Sequence, residues 1–270
     1  MQPRRDCLHL FAPQPPQPER PLFVFLPGLD GTGELYARQA AALAPRFDMR
    51  CLHLPASDRR DWQALAQRVV AELRACQAAS RHRAIHLCGE SFGGCLALQV
   101  ALQAPHLLER LILVNPATTC PDRPLLGYAA EVAPWLPQGV YRWAAQGLLP
   151  LLTAPQRVEP AQRRALLAVM QALPLETLRW RLLLLKRFQL SRDALRSLRV
   201  PSLLLAGGAD RLLPSVREAQ RLARELPEAR VTVLPQSGHT CLLERDVDLG
   251  ELLQAPPRAA LAPPYSCAAP

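Results

Sequence analysis

Short, wholly apolar runs alternate along this chain with longer amphipathic stretches. The run Pro21-Leu22-Phe23-Val24-Phe25-Leu26 has no polar side, which is the pattern of a strand buried on both faces. Further strands are predicted at Met49–Leu54, Ala84–Cys88, Leu111–Val114, Ser202–Ala206 and Arg230–Leu234, with a short edge strand around Leu8–Phe11. Between them the spacing predicts helices over Glu34–Ala44, Asp61–Ala79, Ser91–Gln103, Ser215–Leu226 and Cys241–Gln254. In Asp61–Ala79, Leu65, Val69 and Leu73 form one stripe, and Asp58 or Asp61 stands where a helix start needs a cap. Strand and helix in alternation predict an α/β fold with a mostly parallel sheet wound on both sides.

The rhythm stops between Ala117 and Leu198, where leucine-rich, arginine-spotted segments divided by prolines read as helices. A helical insertion of that length after a sheet strand is expected to be a cap over the site. The expected organisation is an N-terminal segment with a Pro-rich linker over 1–20, a core over 21–116 and 199–254, and a cap over 117–198. An Ala/Pro-rich tail over 255–270 is expected to be disordered.

Composition narrows the function classes. The net charge is +9, and Lys186 is the sole lysine. The arginines form no dense run, aromatics make up 5% of the chain, and no motif reads or stacks on bases. No nucleic-acid partner is therefore expected. The eight cysteines form no C-x-x-C pair and no secretory signal precedes them. They are expected to be buried free thiols in a cytoplasmic protein. The histidines make no zinc-type pair, so no metal or other cofactor is implied. Oligomeric state is not legible.

The chemistry sits in Gly89-Glu90-Ser91-Phe92-Gly93. This G-x-S-x-G run lies between a predicted strand and a predicted helix, so it reads as a tight turn that exposes a serine hydroxyl. A serine hydroxyl is a weak nucleophile and needs a base that an acid orients. Asp210 follows the strand Ser202–Ala206, and His239 follows Arg230–Leu234 in a Ser-Gly-His turn. Both therefore belong at the carboxyl edge of the sheet, where such folds keep their sites. The alternative place for the acid, after Leu111–Val114, holds Asn115-Pro116 and no carboxylate. Ser91, Asp210 and His239 are the expected catalytic residues. The expected oxyanion hole is the amide of Phe92 together with the amide of Leu29, in the glycine-rich loop Pro27-Gly28-Leu29-Asp30-Gly31-Thr32-Gly33. That loop lacks both G-x-G-x-x-G and the Walker lysine, which argues against a phosphate role.

Two other segments stand out. His53 and Asp58 fit an H-x-x-x-x-D acyltransferase pattern, yet at a strand end this reads as coincidence, with Asp58 a loop residue near the site mouth. The basic, apolar stretch Leu178–Phe188 suits contact with a membrane surface, the lining of a lipid pocket or, more in keeping with its pattern, a cap helix packed on the core with solvated arginines.

Several runs together resemble the phytyl ester synthase/diacylglycerol acyltransferase-like family of chloroplasts and cyanobacteria. They are Phe25–Gly33, Cys88–Leu98, Asn115–Thr118, Asp210–Ser215 and Ser237–Glu244, and the resemblance covers nearly all of residues 20–250. It implies an α/β-hydrolase fold and an enzyme that moves fatty acyl groups onto phytol or diacylglycerol, or hydrolyses esters. The matching positions are again Ser91, Asp210 and His239. Plant members carry a second, C-terminal acyltransferase-like domain, whereas this chain stops after the hydrolase part. Hydrolysis of small lipophilic esters is therefore the expectation, with acyl transfer to an alcohol as the alternative. A non-catalytic binding protein on the same scaffold is a third reading, which the complete set of three residues disfavours.

Overall fold

Every residue of β2 (Leu22–Leu26) is buried, because the strand lies inside the sheet with side chains packed on both faces. The coordinates are a computed structural model and describe residues 7–79, 84–120 and 138–254. Segment 121–137 of the expected cap, the expected tail and Cys267 lie outside the described residues. The other strands are β1 (His9–Phe11), β3 (Asp48–His53), β4 (Ile85–Glu90), β5 (Arg110–Val114), β6 (Ser202–Gly207) and β7 (Ala229–Leu234). Among the described residues they form a seven-stranded sheet in the order β1-β3-β2-β4-β5-β6-β7. Only β1 runs antiparallel to its neighbour, placing His9 opposite His53.

The chain moves outward from β2 to β3 and then returns to lay β4 on the other side of β2. This reversal opens a crevice at the carboxyl ends of β2 and β4, the place where doubly wound sheets hold their ligands.

Side-chain alternation along β2 feeds two cores. Leu22, Val24 and Leu26 face α2 (Trp62–Ala79) and α3 (Phe92–Gln103), and pack with Leu65, Val69, Leu73, Leu96 and Val100. Phe23 and Phe25 face the other way, toward Leu43 of α1 (Ala37–Leu43), Tyr36, Met49 and Leu249. Each such leucine or phenylalanine contributes about 1.5–3 kcal/mol by leaving water. Asp61 caps α2 by accepting from the Ala64 N–H at 2.8 Å, worth about 1 kcal/mol.

Four further helices fill the middle of the chain: α4 (Gln138–Leu152), α5 (Pro160–Ala172), α6 (Leu175–Lys186) and α7 (Arg192–Ser197). α6 is anchored to the core: Leu182, Leu184 and Leu185, with Phe188 just past its end, join the α2–α3 cluster, and the Trp62 Nε1–H donates to the Leu184 carbonyl at 2.8 Å. The expectation of solvated arginines on this helix holds for the exposed Arg179 but not for Arg181, which is 1% exposed. α8 (Ser215–Glu225) covers β6 and β7.

Three further expectations need correction. The helix expected over Cys241–Gln254 is two pieces, a 3-10 turn at Cys241–Leu243 and α9 (Leu249–Gln254). Glu244 breaks it, because its carboxylate is drawn inward to the Ser237 hydroxyl, the Gly238 N–H and Arg157. The helix expected at Glu34–Ala44 opens as a 3-10 turn over Glu34–Tyr36. Cys7 is exposed and Cys76 half-buried, whereas Cys51, Cys88, Cys95, Cys120 and Cys241 are buried free thiols. The proline-rich stretch is packed against the sheet, with the Gln17 N–H donating to Asp48 Oδ1 at 3.0 Å.

Candidate active site

β4 passes into α3 through a single residue, Ser91. Its backbone sits at φ 54°, ψ −113°, a region L-residues avoid at a cost of about 1–3 kcal/mol. Four backbone hydrogen bonds hold it there: the Ser91 N–H donates to the Val114 carbonyl at 2.9 Å, and the Ser91 carbonyl accepts from Gly94 at 3.0 Å, Ala117 at 3.1 Å and Cys95 at 3.3 Å. The flanking glycines are steric requirements. A Cβ on Gly93 would overlap the Leu26 carbonyl, and one on Gly89 would overlap the Gly93 carbonyl.

The loops after β6 and β7 bring two more side chains to this turn. His239 Nε2 lies 2.9 Å from Ser91 Oγ, and His239 Nδ1 lies 2.8 Å from Asp210 Oδ2. With a carboxylate at Nδ1, the neutral ring carries its proton there, and Nε2 is left to accept from the serine hydroxyl. The imidazole and carboxylate side chains are 3% and 1% exposed, so the pair is shielded from solvent. Burial pushes the Asp210 carboxyl up. The hydrogen bond and charge of His239, the Ser215 hydroxyl and the Leu213 amide outweigh burial, and the group lies below its ordinary range. Asp210 Oδ1 also accepts from Leu212 and Leu213, so one carboxylate both caps its own loop and holds the ring.

The histidine loop is clamped from two sides. Asn115, at φ 42°, donates to the His239 carbonyl at 2.6 Å and accepts from the Gly207 N–H at 2.7 Å. Glu244, with no exposed surface, accepts from Ser237 Oγ at 2.7 Å and from the Gly238 N–H at 2.8 Å, and pairs with Arg157 at 2.7 Å. The base of α4 completes the clamp, with the Thr240 N–H donating to the Leu152 carbonyl at 2.9 Å.

Register places Leu26 opposite Gly89, so the glycine-rich loop after β2 faces the turn. A Cβ on Gly28 would lie 4.0 Å from Ser91 Cβ. Neither the Leu29 nor the Phe92 amide donates to an acceptor among the described residues. Glu90 carries a second buried carboxyl beside the histidine. Burial raises it to about 7, the charge of His239 pulls it down and Asp30 pushes it up, and its Oε1 has no hydrogen-bond partner among the described residues.

Asn115, Glu244, Glu90 and Arg181 are site-shaping residues that the sequence reading did not single out. Glu90 lay inside the glycine-flanked motif, Asn115 and Glu244 lay in runs that carry the family resemblance, and Arg181 lay in the basic, apolar stretch, but the sequence assigned none of them a role. The H-x-x-x-x-D pair is divided: His53 stands opposite His9 at the sheet edge, and Asp58 is salt-bridged to Arg60 in a small hollow lined also by Trp180 and Arg181. A cavity of about 440 Å³ along β7, lined by Arg157, Gln236 and Glu251, includes none of Ser91, Asp210 or His239.

Comparison with known proteins agrees with this architecture. The chain is 34% identical over 257 residues to the chloroplastic phytyl ester synthase 1 of Arabidopsis thaliana, covering 87% of this chain and 36% of that one. The figures for phytyl ester synthase 2 of the same plant are 34% over 260 residues, 87% and 37%. The chain thus spans little more than a third of the length of these relatives. Among solved structures, MenH from S. aureus superposes with a TM-score of 0.74 at 17% identity, covering 88% of this chain and 92% of that one. The model of the alpha/beta hydrolase family matches residues 23–251, and the chain belongs to that family, as an enzyme of its class.

Proposed function

We propose that Ser91, His239 and Asp210 are a catalytic triad that hydrolyses lipophilic carboxylic esters through an acyl-enzyme. The observation that carries this reading is the unbroken hydrogen-bonded chain Ser91–His239–Asp210, at 2.9 and 2.8 Å. Ser91 Oγ attacks the ester carbonyl carbon as its proton passes to His239 Nε2. The carbonyl oxygen becomes an oxyanion and accepts from the free amides of Leu29 and Phe92, donors of a kind worth about 10²–10³ in rate each. Collapse breaks the bond to the alcohol oxygen, which leaves with the proton from Nε2. Water then attacks the acyl carbon, gives its proton to Nε2, and the acid departs as Ser91 regains its hydrogen. Asp210 keeps the Nδ1 proton in place throughout and stabilises the transient imidazolium.

An alcohol that replaces water in the second half would turn hydrolysis into acyl transfer. The likeness to two phytyl ester synthases favours keeping this as the second reading. Fluorophosphonate labelling tests the nucleophile: wild type labels, and Ser91→Ala does not. Labelling of both, or of neither, removes the reading. Supplying a long-chain acyl ester with and without phytol separates the two outcomes by whether free acid or phytyl ester accumulates.

A lipid surface fits as the source of substrate. α4 leaves Val140, Trp143, Leu148 and Leu151 exposed, Trp143 by 77%, and interfacial helices present such apolar faces. Flotation with anionic liposomes at low salt tests this contact, and Trp143→Ala is expected to weaken it. No described helix is long and apolar enough to cross a membrane.

A further inference from the structure

The largest fully buried side chain among the described residues is a guanidinium, that of Arg181 on α6. Burying a charge is expensive unless something specific receives it. Burial pulls this group down to about 10, with Asp30 and Asp58 pushing it back up. Yet its hydrogen-bond partners are backbone carbonyls: Leu29 at 2.6 Å, Leu54 at 2.9 Å and Pro55 at 3.1 Å. These belong to two loops, one after β2 and one after β3, which are themselves joined by the Leu54 N–H donating to the Gly31 carbonyl at 2.8 Å.

Gly31 makes room for this contact. A Cβ there would lie 2.5 Å from Arg181 Nη1 and 2.9 Å from the Leu54 carbonyl, and the residue sits at φ 69°. The peptide between Gly28 and Leu29 is fixed at one end by the Gly31 N–H, which donates to the Gly28 carbonyl at 3.1 Å. Arg181 fixes the next peptide through the Leu29 carbonyl. With the peptide planes on both sides of Leu29 anchored, the direction of the Leu29 N–H is anchored too.

We infer that Arg181 is a positioning residue: reaching from the cap helix, it aims the Leu29 N–H at the oxyanion. The inference rests on the triad reading given above. It makes the oxyanion hole a joint product of core and cap, so that a cap helix out of place leaves the nucleophile intact but the developing charge unsupported. A preorganised donor acts only in the transition state, so its loss lowers kcat and leaves KM in place.

The test uses the full chain, a chromogenic acyl ester, and a boronic acid that forms a tetrahedral adduct with a reactive serine. Arg181→Met removes all three contacts, and Arg181→Lys keeps the charge but cannot span both loops. Both are expected to lower kcat about 10²-fold with KM within about twofold, and to weaken the boronic acid by the same factor as kcat. If Arg181→Met does not fold, Arg181→Lys carries the measurement, with thermal melting as the check. A folded variant with unchanged kcat and boronic acid affinity overturns the inference, as does one whose loss lies wholly in KM. A wild type that neither turns over ester nor binds the boronic acid overturns the triad reading, and this inference with it.

Discussion

Asn115 donates to the main-chain carbonyl of His239 at 2.6 Å, and its own carbonyl accepts from the Gly207 N–H at 2.7 Å. One buried amide thus ties the residue after β5 to the end of β6 and to the loop after β7 that carries His239. Asn115→Ala leaves two buried backbone groups unpaired and is expected to cost about 2–4 kcal/mol in urea denaturation, with a fall in kcat as the ring loosens. Asn115→Asp is expected to be worse, because a carboxylate would face the His239 carbonyl in place of a donor.

Asp210→Asn tests the orientation of the ring. An amide at this position can donate to Nδ1, which favours the tautomer with its proton on Nε2 and blocks acceptance from Ser91. A drop in kcat of about 10⁴ is expected, with thermal stability close to wild type. Steady-state kinetics beside a melting curve checks it, and a loss below tenfold would remove Asp210 from the triad.

Glu90 gives the molecule a pH-dependent weakness. Its carboxyl is raised from 4.5 to about 7, chiefly by burial. Across that window the folded chain binds more protons than the unfolded one, so stability falls as pH rises, by about 3 kcal/mol in all. Glu90→Gln lacks this slope. It is expected to melt above wild type at pH 8 and to lose that advantage by pH 4, which calorimetry at the two pH values reads directly.

Glu244 is the second clamp on the histidine loop. Glu244→Ala leaves the Ser237 hydroxyl and the Gly238 N–H unpaired and takes one partner from Arg157, which keeps Gln236 and Asp246. A loss of about 2–4 kcal/mol is expected, measurable by chemical denaturation. kcat is expected to fall with it, since His239 directly follows Gly238.

What the sequence revealed and what it hid have one physical origin. Strands buried on both faces appear as unbroken apolar runs, so β2 and β4–β6 are readable before any coordinates. The candidate triad is readable because each member is tied to a strand end, and because Gly93 is needed where the turn packs against the Leu26 carbonyl and Gly89 where it packs against Gly93. Arg181, Asn115 and Glu244 are hidden, since a polar residue reads as solvated until its partner is known. The partner of Arg181 is a carbonyl 152 positions away in the chain. The same blindness made one helix of Cys241–Gln254: the pull of the His239 loop on Glu244 leaves no mark on local periodicity.

The bent backbone at Ser91, φ 54°, means that the residue proposed as nucleophile sits in a conformation that L-residues avoid. A chain selected for durability alone would place glycine there and give up its nucleophile. Ser91→Gly is therefore expected to be inert toward fluorophosphonates yet to keep, or slightly exceed, the wild-type resistance to heat. On the triad reading, the serine persists as a standing tax on the fold, levied for chemistry.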